Sequence, residues 1–138
     1  MYSNNRDAYR QAFFTVWQKY QKKLLLEPVE AQLAEIIALH PEYHALLEKP
    51  ESYQQQEFTL EENPFLHMSL HISLREQIGM DRPKGIVKIH QDLCAIHQDA
   101  HAVEHSMIEC LARILWQAQQ SGEAPQEKDY LDLLSRLA

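Results

Sequence analysis

The stretch IVKIHQDLCAIHQDAHAVEHSMIECLARILWQAQQSG, residues 86–122, decides the fold. Through it Ile86, Ile89, Leu93, Ile96, Ala100, Val103, Met107, Cys110 and Ile114 recur every three or four residues, the period of an α-helix that buries one face. A half-buried strand would alternate every second residue instead. The 3–4 spacing never slips, so it predicts one long helix ending at Ser121-Gly122. A break near residues 97–99, with Asp99 as a cap, is the other reading, because an uninterrupted helix of this length is unusual.

Outward from this stretch the chain stays helical in pattern. Ala8, Phe13, Val16, Trp17, Tyr20 and Leu24 recur at helical spacing behind Asn5 or Asp7, either of which can cap. Pro28 opens a second helix, whose apolar face is Val29, Leu33, Ile36, Ile37 and Leu39. His40-Pro41 ends it, since the residue before a proline is pushed out of the helical region. Pro41 starts a short third helix to about residue 48, closed by Pro50. Residues 50–62 are polar and weakly periodic, a loop with a few extended residues around Phe58 and Leu60. Asn63-Pro64 begins a fourth helix, expected to run to Ile78 and stop at Gly79. A last one, residues 126–137, carries Tyr130, Leu131, Leu133, Leu134 and Leu137. The expectation is an all-α, single-domain bundle of about six helices over residues 1–138.

Composition agrees. Apolar residues make up 45% of the 138 positions and charged residues 24%, the profile of a globular domain, and three glycines favour helices over turn-rich strands. The formal charge is −7, with no block of lysines or arginines. That argues against nucleic acid and against an anionic membrane surface, both of which need a basic face. Cys94 and Cys110 form no C-x-x-C pair and read as small core residues of a reducing compartment. MYSNNRDAYRQ lacks the regions of a signal peptide, and no apolar run approaches the length of a membrane span. A cytoplasmic protein is expected, its partner a small molecule or another protein.

Six of the eight histidines fall into pairs four residues apart: His40–His44, His67–His71 and His101–His105. His97–His101 adds a fourth such spacing, where chance placement gives roughly half of one. Residues i and i+4 share a helix face, so two imidazoles can point at one place. His101 and His105 begin a line that continues through Ile108, Ala112 and Leu115; His67 and His71 lead into Leu74 and Ile78. Buried neutral imidazoles need both ring nitrogens satisfied, and a divalent metal does that. The predicted ligands are His67, His71, His101, His105, Glu109 and His44, with iron or zinc as the metal. Glu48 and Glu76 are further carboxylates nearby in sequence.

Known helical metal proteins narrow this. Hemerythrin-like bundles use H-x3-E, H-x3-H and H-x4-D spacings, which His105–Glu109, His67–His71 or His101–His105, and His71–Glu76 resemble in ligand supply, with Glu for Asp and in another order. Glu-x-x-His, used by ferritin-like di-iron proteins, occurs nowhere. HAVEH at 101–105 matches the H-x-x-E-H signature of some zinc peptidases, but short matches are cheap in a histidine-rich chain and those peptidases are far larger. The alternative, of another class, is a metal-free adaptor or regulatory helical protein whose histidines are structural or pH-responsive.

The phrases ENPFLHMSLHISLREQ, DRPKGI and DAHAVEHSMIECLARILWQAQQSG, with HPEYHALLE, resemble an uncharacterised bacterial family, domain of unknown function 1841. The resemblance covers nearly the whole chain. It implies a small, stand-alone, cytoplasmic bacterial protein and no particular activity, cofactor or catalytic residue.

Overall fold

The computed structural model describes residues 2–53, 57–58 and 62–138. Among them are helices and no strand. In chain order they are α1 (Tyr2–Gln21), α2 (Pro28–Ala38), a 3-10 turn (Pro41–Tyr43), α3 (His44–Leu47), α4 (Pro50–Tyr53), α5 (Pro64–Met80), α6 (Ile86–His97), α7 (Ala100–Ser121) and α8 (Glu127–Ser135). None of the described helices is long and apolar enough to cross a membrane. The chain divides into two compact units, Met1–Ser69 and Leu70–Ala138, and α5 supplies its first turns to one and the rest to the other.

In the first unit α1 packs on α2. Phe13, Phe14, Val16 and Trp17 meet Leu33, Ala34, Ile36 and Ile37 in its core. The start of α5 joins them. Phe65 lies edge-on to Phe13 and Phe14, ring centroids 5.5 and 5.8 Å away, and its carbonyl accepts from the Tyr9 hydroxyl at 3.2 Å. Arg10 is buried with its guanidinium over the Phe65 ring, so its charge is held against an aromatic face. Asn63 caps α5 as its sequence position predicts, with Oδ1 accepting from the N–H groups of Phe65 and Leu66. The expected apolar faces are only partly buried. Tyr20, Leu24, Val29 and Leu39 are exposed because they sit at helix ends or turn away from the α1–α2 seam.

In the second unit α6, α7 and α8 pack on one another. Leu93 of α6, Val103, Met107, Ile108, Leu111 and Ile114 of α7, and Tyr130 and Leu134 of α8 fill the core with Leu74 of α5. The Tyr130 hydroxyl donates to Gln77 Oε1 at 2.8 Å, and burial pushes its ionisation upward.

Four boundaries differ from expectation. α1 already begins at Tyr2, ahead of the expected caps Asn5 and Asp7. The long helix is broken: Gln98 is left-handed (φ 55°), and Asp99 caps α7 through Oδ1 to the Ala102 N–H at 3.1 Å. Pro50 opens α4 rather than only closing α3, proline being well suited to a first helical turn. α5 runs through Gly79 to Met80, because Asp81, at φ 51°, supplies the left-handed stop. The Asp81 carboxylate then accepts from the N–H groups of Gly85 and Val87, tying the end of α5 to the start of α6. Phe58 is in irregular backbone, not a strand, and Leu60 lies outside the described residues.

Candidate metal centre

Helix α5 carries His67 and His71 four residues apart, on adjacent turns of one face. In the first unit, His40 meets His67 edge-on with ring centroids 5.0 Å apart. His40 is only 2% exposed and stacks on Tyr43. Its Nδ1 lies 2.8 Å from the Ile36 carbonyl. A carbonyl oxygen can only accept, so the hydrogen-bond network assigns the ring proton to Nδ1 and the lone pair to Nε2.

In the second unit, His71 is completely buried. The His105 ring lies 4.9 Å from it and the exposed His101 ring 6.3 Å, with 4.3 Å between His101 and His105. Nδ1 of His71 sits 2.6 Å from Glu104 Oε1. Arg75 Nε donates to that same oxygen at 3.0 Å, and its Nη2 to Oε2 at 3.5 Å. Burial by itself would raise the Glu104 carboxyl. Hydrogen bonds from His71 and Arg75, and their charge, outweigh it and hold the group at about 2. An ionised carboxylate only accepts, so His71 donates from Nδ1, and when the ring is neutral the lone pair is on Nε2.

Similarity to known proteins now bears on the same residues. The model of the family described as domain of unknown function (DUF1841) matches residues 5–136. The chain belongs to that family. The DUF1841 match takes in all eight histidines together with Arg75 and Glu104. No curated protein and no solved structure matches the chain.

Of the ligands expected from the sequence of this DUF1841 chain, His71, His101 and His105 lie together in the second unit, and His67 is one turn back along α5. His44 does not join them. Its Nε2 donates to the Ile37 carbonyl at 2.9 Å, and its ring packs 4.3 Å from Trp17. Glu109 is exposed on α7, and Glu48 and Glu76 are exposed as well; Glu48 accepts from Gln21 at 2.9 Å. His90 approaches Cys94 along α6, and His97 the Leu137 carbonyl.

Two residues carry more than their sequence positions suggested. His40, which as the neighbour of Pro41 reads as a junction residue, is buried beside His67. Glu104 is the carboxylate that reaches a histidine, and its signal was the fourth letter of HAVEH. In a peptidase that glutamate must serve as a base. Here both its oxygens are engaged by donors, which fits it to hold a histidine and not to accept a proton from water.

Proposed function

We propose that this protein binds a divalent transition metal, iron or zinc, through imidazoles carried by α5 and α7. One observation carries this: His71 is wholly buried, its Nδ1–H is committed to Glu104, and the ring of His105 lies beside it. Such a ring, when neutral, turns the Nε2 lone pair away from Glu104 as its ligand atom. Nitrogen donors of this kind suit iron and zinc. His71 and His105 form the centre of the ligand set, and His67 adds a second imidazole from the same face of α5. His40, with the same tautomer, stands beside His67. His101 flanks His105 on the exposed side. His44 and Glu109 supply no ligand in this scheme.

A metal with an open coordination position supplies a route to activating water or a small oxidant. The chain's own residues hold the rings: Glu104 orients His71, and the Ile36 carbonyl orients His40. A cytoplasmic setting without a nucleic-acid partner goes with the acidic, patch-free charge.

Metal content of untagged protein, measured by mass spectrometry beside His71→Ala and His105→Ala, tests this. Near-stoichiometric iron or zinc in the wild type and its loss in both variants is the expected outcome. Wild-type protein that is metal-free and takes up neither Fe²⁺ nor Zn²⁺ on reconstitution defeats the proposal and leaves the metal-free adaptor reading in its place.

A further inference from the structure

Glu104 lies on α7 between the two histidines of HAVEH, yet its carboxylate turns to α5, where it joins His71 and Arg75. The arrangement is ordered from outside inward. Arg75, partly exposed, clamps the carboxylate through Nε and Nη2. The carboxylate takes the Nδ1–H of His71 in a 2.6 Å bond, the length of a charge-assisted contact. The far edge of the His71 ring, with Nε2, then faces away from Glu104.

We infer that Glu104, anchored by Arg75, is a positioning residue that makes His71 an Nε2 ligand. A histidine with no such acceptor can swap its proton between nitrogens and turn about its χ2 torsion, and half of those states present N–H, which cannot ligate. A carboxylate on Nδ1 removes those states and makes the other nitrogen more basic. Arg75 has a parallel task. It holds the carboxylate in place and balances its charge, so that Glu104 can sit largely out of water. The signature H-x-x-E-H therefore separates into two roles in this chain: imidazoles directed at a metal and a glutamate directed at the imidazole of another helix. This inference rests on the proposed metal site and adds to it the residue that sets the ligating atom.

Zn²⁺ affinity, read by competition with a chromophoric chelator, is measured for wild type, Glu104→Gln and Glu104→Ala, alongside helicity and thermal midpoint. Long-range imidazole nitrogen NMR on isotope-labelled histidine gives the His71 tautomer in the metal-free wild type. The expected result is an Nδ1–H tautomer for wild-type His71 and a loss of about 10–100-fold in affinity for Glu104→Ala. Glu104→Gln recovers part of it, because the amide oxygen still accepts from Nδ1 without the charge. A folded Glu104→Ala that binds Zn²⁺ as tightly as wild type overturns the inference and leaves the metal site standing. An Nε2–H tautomer in the wild type overturns it too, without requiring any variant to fold. Wild-type protein that binds no Zn²⁺ removes the metal site itself, and this inference with it.

Discussion

His71 has none of its surface in contact with solvent, so Glu104 decides what its ring can do, and the same bond makes Glu104 sensitive to acid. The carboxyl is held at about 2, against an ordinary value of 4.5. A depressed value means that the group stabilises the folded state fully above the ordinary carboxylate range. That stabilisation is lost as pH falls from about 4.5 toward about 2, on the order of 3 kcal/mol by linkage. Denaturant unfolding of metal-free protein from about pH 6 to about pH 2.5 checks this. Glu104→Gln should be less stable than wild type at the upper end and flatter across the acid range. Equal slopes for the two proteins would show that the Glu104 bonds contribute nothing to folding. None of this was readable from the chain alone. His71 and Arg75 stand 33 and 29 residues from Glu104, and helical periodicity shows which face a residue occupies but not what lies opposite it. The paired histidines were legible because their geometry is local: four residues make one turn. The burial of His40 was hidden for a related reason, since a proline next door says where a helix ends and nothing about burial.

The helices themselves were legible wherever caps and apolar spacing agreed. Asn63, Pro28 and the Ser121-Gly122 stop behave as their chemistry dictates. The break between α6 and α7 was harder to see, because the apolar stripe keeps its spacing through a kink that changes the direction of the chain. Ile96 belongs to the stripe by number and is exposed in the fold. What ends the helix is polar and short: left-handed Gln98 followed by the Asp99 cap. Asp99→Ala should lower stability by about 1 kcal/mol, while Asp99→Asn, which keeps an accepting oxygen, should lower it little. Urea midpoints at constant slope give the comparison. An unchanged midpoint for Asp99→Ala would mean that packing alone sets the break.

The two tryptophans report on the molecule as a whole, since Trp17 lies in the first unit and Trp116 in the second. We propose that residues 1–138 unfold as one domain, because α5 runs without a break from one unit into the other and neither can release its share without fraying the rest. Trp17→Phe and Trp116→Phe leave one reporter each. Coincident fluorescence midpoints, matching that of helicity, are expected. Separated midpoints would instead identify two folding units joined by a helix.

The placement of His67 and His71 on adjacent turns of α5 also carries a consequence for how the family can vary in length. Loops such as residues 22–27 or 122–126 can gain or lose a residue at small thermodynamic cost. Between His67 and His71 a single insertion would swing every later α5 residue about 100° around the axis and advance it about 1.5 Å. Leu74 would leave its core, Arg75 would lose Glu104, and the two imidazoles would no longer share a face. Sequence gaps among relatives should therefore gather in the loops and spare residues 64–80, the one interval where the chain's arithmetic is fixed by its chemistry.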